Sequence, residues 1–381
     1  MTQPREVVID ARWLRTGIGR YILTLLKELK PKLPDTLLTC ISMPAHSADL
    51  APYCDRVIEI NCGIYSLAEQ MRLPFAAYSA DVFCVPHYNV PILRRGPMVV
   101  TIHDLTHLTF PAYRRRLGNS AYANAMLRVA SARASHITTP SHYTRNCLVE
   151  QLGVDPEKIV VIPCAVSDSF RVQPKEEAAE VVRNLYGIVG PYILFVGSAA
   201  PHKNLATLLE AYRLSSARLG DQLQLVLVLP RDMGKVRDRA LGLLLAARGV
   251  RCLYSIPDEL LASLYGAAAM TVMPSFEEGF GLPLVESMAC GTPVACSRAA
   301  SLPEIAGDSA IYFDPHSAEE MAWAIDRLLH SGELRLHLIQ QGLRRAARYP
   351  ATGAASAYVA VVTSVVAGRT PATIVERQHG A

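Results

Sequence analysis

The sequence predicts an α/β protein with two doubly wound, Rossmann-like domains. Short apolar runs typical of strands alternate with helix-like stretches, which is the pattern of parallel sheets flanked by helices. The alternation weakens between Asp168 and Gly190 and then restarts, and a chain of 381 residues has room for two such domains. We therefore expect a first domain over 1–170, a linker over 171–190, a second domain over 191–350 and a C-terminal helix over 351–381.

The first domain should contain strands where the sequence has short runs of apolar residues, at 6–10, 37–42, 56–60, 82–85, 98–102, 136–139 and 159–162. Helices should lie at 19–30, 66–78, 120–134 and 141–151, with Ser141 as the N-cap of the last. In the second domain we expect strands at 192–196, 223–229, 251–254, 270–273 and 293–296. The helices between them should lie at 204–214, 235–247 and 258–267, followed by final helices at 317–329, 333–347 and 354–367. Two such sheets should leave a ligand cleft between their carboxyl-terminal edges.

Composition narrows the class of protein. Nine scattered cysteines without a C-x-x-C pair indicate reduced thiols in a cytosolic protein. The start MTQPREVVIDARW has no signal-peptide character, and no apolar run approaches the ~18–20 residues of a membrane span. Residues 1–166 carry 18 Lys and Arg against 13 Asp and Glu, which fits either a solvated surface or contact with anionic lipid headgroups or a pyrophosphate-linked acceptor. We expect a cytoplasmic protein without a nucleic acid partner. The more specific alternative is a protein that also makes peripheral contact with the inner face of the cytoplasmic membrane.

The segment PSFEEGFGLPLVESMACGTPV carries the clearest chemistry. Seven residues separate Glu278 from Glu286, and between them Gly281 permits a positive φ and Pro283 suits the first turn of a helix. The backbone N–H groups of Phe280, Gly281 and Leu282 should then lie at a helix N-terminus, which attracts anions. Two carboxylates beside an anion site indicate sugar hydroxyls bound next to a phosphate, although a polar connection with two solvated glutamates is the plain alternative.

The run EGFGLPxxExMACGxPV resembles the E-x7-E motif of retaining GT-B glycosyltransferases of family 4, which include bacterial mannosyl-, glucosyl- and rhamnosyltransferases. The resemblance implies the GT-B fold and transfer of a sugar with retention at the anomeric carbon. It assigns to Glu278 the orientation of sugar hydroxyls, with an offset of positive charge on the ring. It assigns to Glu286 the ribose hydroxyls, and it places the base against Tyr254 and Ile256.

A second segment, PYILFVGSAAPHKNLATLLEAY, reads as a strand, a glycine-containing loop and a helix. Lys203 falls at the helix start, where its ammonium and the helix N–H groups would hold a diphosphate. The segment resembles the phosphate-binding segment of the family, with two departures. His202 stands where an arginine is usual and contributes charge only when protonated. Ser198 stands where some members carry a second arginine.

A glycine loop, GIGRY, follows the first strand. It fails as a dinucleotide fingerprint because Ile22 occupies the position of the third glycine. It resembles the GT-B glycine loop, in which Gly17 and Gly19 would approach the donor diphosphate. Arg20 would add positive charge on the acceptor side.

Two histidines follow strands of the first domain. The resemblance puts His103 near the transferred sugar as the second catalytic residue, although a satisfied strand-end histidine is the ordinary reading. Asp104 would hold the loop or touch the acceptor, and His87 would line the acceptor site unless it belongs to a plain turn. His103 and His107 do not fit a zinc site, because the glutamate of H-E-x-x-H is missing. No D-x-D occurs, so we expect neither a metal nor another cofactor.

The start of the chain, HDLTHLTFP and HKNL resemble bacterial enzymes that add mannose or rhamnose to O-antigen or exopolysaccharide on a lipid carrier. The resemblance implies a GDP-sugar donor and a glycan or polyprenyl-diphosphate-linked acceptor, in lipopolysaccharide biosynthesis. A UDP- or dTDP-sugar donor stays open, as does a non-catalytic GT-B scaffold subunit.

Overall fold

The computed structural model of the chain describes residues 5–14, 17–114, 117–219, 223–230, 242 and 247–368. Contacts divide the chain into two compact units. The first runs to Ala165 and takes in the helix after Pro350, and the second runs from Val166 to Tyr349.

The described part of the first unit contains a seven-stranded parallel sheet. Its strands are β1 (Glu6–Asp10), β2 (Leu37–Ser42), β3 (Arg56–Glu59), β4 (Val82–Val85), β5 (Met98–Thr101), β6 (His136–Thr139) and β7 (Ile159–Val161). Their order is β3-β2-β1-β4-β5-β6-β7, so the direction of winding reverses between β1 and β4. Val7 in β1 pairs with Leu38 on one side and Val82 on the other, and all three are buried.

Helices of the first unit cover this sheet. They are α1 (Gly17–Lys32), α2 (Ser47–Leu50), α3 (Leu67–Ala76), α4 (Thr106–Thr109), α5 (Pro111–Arg114), α6 (Leu117–Arg133) and α7 (His142–Leu152). Ser141 caps α7 as expected, because its side chain accepts a hydrogen bond from the Thr144 N–H.

In the second unit, the described residues form a six-stranded parallel sheet of order β10-β9-β8-β11-β12-β13. Its strands are β8 (Tyr192–Val196), β9 (Gln224–Leu229), β10 (Val250–Tyr254), β11 (Met270–Met273), β12 (Val294–Ser297) and β13 (Ala310–Phe313). The helices are α8 (Lys175–Tyr186), α9 (Leu205–Leu219), α10 (Asp258–Ala267), α11 (Leu282–Ala289), α12 (Leu302–Ala306), α13 (Ala318–His330) and α14 (Gly332–Ala346). The last helix, α15 (Ala351–Val366), packs against α1 of the first unit.

The fold class is thus confirmed, with differences in detail. The segment 171–190, expected as a linker, contains α8, because Ala178 and Val182 are spaced to pack one face of a helix against α10. The strand β13 was not expected, since only two of its four residues are buried. The helix expected at 235–247 falls outside the described residues, apart from positions 242 and 247.

All nine cysteines lie in the described part of the chain, and none of them forms a disulfide there. No helix among the described residues is long and apolar enough to cross a bilayer.

Candidate active site

Two of the predicted site residues, Lys203 and Glu278, meet where the strand order of the second sheet reverses. Lys203 follows β8 and Glu278 follows β11, and these strands are neighbours although the two residues are 75 positions apart. Loops after two such strands turn away from each other, which is why ligands of open α/β sheets bind at this point.

The two side chains form a salt bridge. Nζ of Lys203 lies 2.7 Å from Oε1 and 2.8 Å from Oε2 of Glu278, and the Ser275 hydroxyl donates to Oε1 at 2.7 Å. Only 21% of the lysine side chain and 10% of the glutamate side chain are exposed. An ammonium carries three donors and a carboxylate about four acceptor positions, so each group retains capacity for a further partner. The pair can therefore hold an anion and a hydroxyl side by side.

Contacts between the loops fix this geometry. The Phe276 N–H donates to the His202 carbonyl at 2.8 Å. Asn204, with φ +58°, donates through Nδ2 to the carbonyls of Pro274 at 3.0 Å and Pro315 at 2.7 Å. The turn that carries the lysine is thus tied to the loop that carries the glutamate. The half-buried side chain of His202 lies on the same turn.

The start of α11 supplies backbone donors near this pair in sequence. Gly281 precedes the helix with φ +98°, and a Cβ there would lie 2.8 Å from the Leu302 Cδ2, so only glycine fits. The Phe280 ring is buried against Tyr349 at a centroid distance of 5.3 Å. Phe280 can therefore offer a ligand only its backbone, whereas Leu282 begins the helix, where N–H groups lack helical partners.

The remaining donor-binding predictions receive different surroundings. Glu286 is only 2% exposed, and its Oε2 accepts a hydrogen bond from the Tyr265 hydroxyl at 3.0 Å. The Ser198 hydroxyl accepts the Ala200 N–H at 3.4 Å and so holds its own loop. Tyr254 ends β10 and is exposed, and Ile256 follows it half-buried.

In the first unit, His103 follows β5, and within the described part of the chain one of its two ring nitrogens has a hydrogen-bond partner. Its Nε2 lies 3.1 Å from the Pro86 carbonyl, which can only accept, so Nε2 carries the hydrogen. Burial lowers the pKa of His103, which keeps the ring neutral and leaves Nδ1 as an acceptor. Asp104 beside it accepts the Thr106 N–H at 2.9 Å and thereby holds the loop that leads into α4.

His87, by contrast, is packed into the fold. Its ring stacks on Trp13 at a centroid distance of 4.1 Å and lies tilted against Tyr88 at 4.0 Å, and its Nδ1 accepts the Asn89 N–H at 3.1 Å. Burial lowers the pKa of His87 to about 3, so the ring stays neutral at ordinary pH.

The two glycines of the GIGRY loop, Gly17 and Gly19, have different surroundings. A Cβ on Gly19 would lie 2.0 Å from the Leu14 carbonyl oxygen, so packing within the chain requires this glycine. Among the described residues, no atom lies within 4 Å of a Cβ on Gly17, the first residue of α1. Arg20 lies half-buried in the same first turn.

Sequence reasoning missed a buried polar network beside His87. Arg12 donates from Nε to Asp10 at 2.8 Å and from a terminal nitrogen to Glu69 at 2.5 Å, and all three side chains are fully buried. Asn89 donates to Glu69 at 2.9 Å and accepts from Tyr122 at 2.6 Å. Asp10 and Arg12 directly after an apolar strand were the available signal, but Glu69 is 57 positions from Arg12.

Among the described residues, no cluster of His, Cys, Asp and Glu has the makeup of a metal site. Lys203, Glu278 and Ser275 bring an ammonium, a carboxylate and a hydroxyl together, which are groups that can pair with an anion and with hydroxyls.

Two family models match the chain. Residues 15–170 match Glycosyltransferase Family 4, and residues 189–345 match Glycosyl transferases group 1. An O-antigen chain mannosyltransferase B from Escherichia coli is 30% identical over 361 residues, covering 88% of this chain and 92% of that protein. The O-antigen chain mannosyltransferase RfbU from Salmonella typhimurium is 28% identical over 68% of this chain and 67% of its own length.

Solved structures agree with this at the level of the fold. HepE from Anabaena, solved with UDP and glucose, aligns with a TM-score of 0.78 at 16% identity over 95% of this chain and all of its own. WaaG, a glycosyltransferase involved in lipopolysaccharide biosynthesis, aligns with a TM-score of 0.74 at 14% identity over 94% of this chain and 99% of its own. Two doubly wound units of this type define the GT-B class of glycosyltransferases. The chain belongs to the group 1 glycosyltransferases of family 4.

Proposed function

We propose that the chain transfers mannose or rhamnose from a GDP-sugar to a glycan or polyprenyl-diphosphate-linked acceptor, with retention, in cell-surface polysaccharide synthesis. The observation that carries the proposal is the pairing of Lys203 with Glu278 where the second sheet reverses its order. The relatives named as O-antigen mannosyltransferases support mannose and this biosynthetic role. A UDP- or dTDP-sugar is the alternative donor, and a scaffold without activity is the alternative class.

The main catalytic contribution would be stabilisation of negative charge on the departing diphosphate. Lys203 supplies a positive charge, and the N–H groups at the start of α11 supply dipoles. Glu278 orients the sugar hydroxyls and offsets positive charge that develops on the ring. His103 accepts a hydrogen bond from a substrate hydroxyl at its Nδ1.

No divalent metal is needed in this proposal. The chain lacks D-x-D, and Lys203 takes the place of a metal ion in neutralising phosphate charge. His202 would add to this charge only in its protonated form. For the nucleoside, Glu286 would bind the ribose hydroxyls, with Tyr265 holding one of its oxygens, and Tyr254 and Ile256 would contact the base.

The acceptor side is proposed on the first unit. Gly17 would approach the substrate, and Arg20 would add positive charge. The excess of Lys and Arg over residues 1–166 favours peripheral contact with an anionic membrane on its cytoplasmic face, where a lipid-linked acceptor would be reached.

The test is a melting-temperature panel with GDP, UDP, dTDP and ADP, each with and without EDTA. A ligand at about 100 times its dissociation constant stabilises the folded state by about 2.7 kcal/mol, which gives a measurable shift. We expect GDP to stabilise the protein most, with no effect of EDTA. Stabilisation by UDP or dTDP instead of GDP would change the proposed donor to a UDP- or dTDP-sugar. Loss of the melting-temperature shift in EDTA would reject metal independence. If no nucleotide raised the melting temperature, the scaffold alternative would be favoured.

Transfer itself is tested with a GDP-sugar and a purified lipid-linked glycan. The anomeric configuration of the product, read by NMR coupling constants, should match that of the donor. An inverted product would reject the retaining mechanism while leaving the donor assignment intact.

A further inference from the structure

Helix α3 of the first unit buries a glutamate beside Leu73 and exposes most of its large apolar side chains. A surface helix normally buries its apolar stripe and exposes its charges. Here the helix buries Glu69 completely and exposes large apolar side chains, with Leu67 88% and Phe75 78% exposed. Met71 lies between them in sequence and is also exposed.

The exposed side chains form one stripe. Leu67, Met71 and Phe75 follow each other at intervals of four, which places them on one face of a helix. Tyr78, just beyond the helix end, is exposed as well. The face opposite the stripe contains Glu69 and is directed into the unit.

The buried network fixes this orientation. Glu69 accepts from Arg12 through one oxygen, and from the Asn89 amide and the Tyr65 N–H through the other. Turning the helix over would leave Arg12 buried without one of its two carboxylates, which is costly. The outward direction of the apolar stripe is therefore built into the fold.

A neighbouring loop extends the apolar surface. The Gln70 side chain donates to the Val90 carbonyl at 3.2 Å and accepts the Ile92 N–H at 2.8 Å, which fastens the loop beside α3. Ile92 and Leu93 in this loop are exposed. We call the six side chains the apolar face: Leu67, Met71, Phe75, Tyr78, Ile92 and Leu93.

In the stretch of chain that carries the apolar face, the exposed charges are positive. Within 60–98, all of which the structure describes, the exposed charged side chains are Arg72 and Arg95. Of the two acids in this segment, Glu69 is buried, and Asp81 accepts hydrogen bonds from the backbone N–H groups at positions 5 and 6. An apolar surface whose own segment carries two exposed arginines and no exposed carboxylate complements an anionic lipid surface.

A second copy of the chain fits this surface less well. In a two-fold symmetric contact the same patch meets itself. Arg72 and Arg95 of both copies would then enter the same contact, and the segment offers no exposed carboxylate to pair with them.

We propose that the apolar face seats the protein on an anionic bilayer, with its side chains at the boundary between headgroups and acyl chains and Arg72 and Arg95 on lipid phosphates. This builds on the membrane contact proposed above and names the surface that makes it. It would bring the first unit to a lipid-linked acceptor without a spanning helix among the described residues.

The test is co-sedimentation with vesicles of phosphatidylcholine and phosphatidylglycerol at low salt. The double substitution Leu67→Gln with Phe75→Gln should lower partitioning by about 100-fold, since each apolar side chain contributes about tenfold. A matched control is Leu185→Gln with Val189→Gln on the second unit, where these side chains are 58% and 66% exposed. The control should bind vesicles like the unsubstituted protein.

Three outcomes would overturn the proposal: no vesicle binding by the unsubstituted protein, equal loss in the control, or full binding by the Leu67 and Phe75 variant. Sedimentation velocity tests a fourth outcome, in which the unsubstituted protein is a dimer and only the Leu67 and Phe75 variant is a monomer. If neither the dimer nor the monomer bound vesicles, the apolar face would be a contact between two copies of the chain. The melting shift with nucleotide is measured on every variant. Because that shift should survive in all of them, failure of the membrane proposal and failure of the proposed transferase are separate results.

Discussion

Lys203 and Glu278 contact each other in the free protein, yet they are proposed to bind different parts of the donor. Substitution of each should therefore separate the two roles. Lys203→Met keeps the length of the side chain and removes its charge, and it should weaken GDP binding by about 10- to 100-fold, because a charge-assisted hydrogen bond contributes about 1.5–3 kcal/mol. Glu278→Gln keeps the shape and should leave GDP binding equal or tighter, since the lysine no longer shares its charge. The same variant should lose transfer activity by at least about 100-fold.

The stability of the two variants is predictable from the same contacts. Breaking a fully buried ion pair costs about 3–5 kcal/mol. Here the lysine side chain is 21% exposed, and Ser275 continues to donate to the carboxylate, so we expect about 2–3 kcal/mol for Lys203→Met. The double variant should be less destabilised than the sum of the single ones, because it leaves no unpaired charge.

Calorimetric titration with GDP, urea unfolding and a transfer assay measure the three quantities. Lys175→Met, at an exposed lysine at the start of α8, is the control and should change none of them. Unchanged GDP binding in Lys203→Met would refute the phosphate assignment. Equal weakening of GDP binding by both single variants would refute the division of roles.

Three further predictions concern stability. Arg12→Met leaves two fully buried carboxylates without their cation and should cost about 3–5 kcal/mol by urea unfolding; a loss below about 1 kcal/mol would show that the network is not needed for folding. His87 has its pKa lowered to about 3 by burial, so only the unfolded chain binds its proton between that value and about 6.5. Stability should therefore fall with pH below about 6.5, by up to about 1.4 kcal/mol per pH unit more in the parent than in His87→Phe, and parallel pH curves would contradict this. Gly281→Ala should cost about 1–3 kcal/mol because of its φ of +98° and the contact with a leucine side chain, whereas Gly266→Ala in α10, with its nearest neighbour at 3.5 Å, should be neutral or stabilising; thermal melts that rank them otherwise would refute the argument.

The sequence was sufficient for the central strands, because strands such as β1, β4 and β11 are buried along their whole length and stand out as apolar runs. The bounds of β1, β2, β4, β6, β8 and β11 agree with expectation residue for residue. The short helices α2, α4, α5 and α12 were not foreseen, since four or five residues give no helical period. The strand β13 was also missed, because its four residues are too few to show a recognisable pattern of apolar and polar positions.

For the candidate site, sequence spacing predicted the turns that carry Lys203 and Glu278 but not the contact between these two side chains. The glycines and the proline around Glu278 predicted a turn into a helix, which α11 confirms. That Lys203 bridges both oxygens of Glu278 follows only from the adjacency of β8 and β11, a long-range fact that local pattern does not contain. Similarly, the sequence around His87 did not predict that its ring would pack against both Trp13 and Tyr88.

The buried network links the interior of the first unit to its surface. Arg12 needs two carboxylates, and Glu69 supplies one of them from α3. This contact fixes which face of α3 points inward, and so it also fixes Leu67 and Phe75 in water in the isolated protein. A group of large apolar side chains exposed together on a folded unit indicates an interaction surface. A buried ion pair is weak evidence for stability in general. The pair of Arg12 and Glu69 instead determines the orientation of α3, because replacing it by apolar residues would remove the constraint that keeps the apolar face outward.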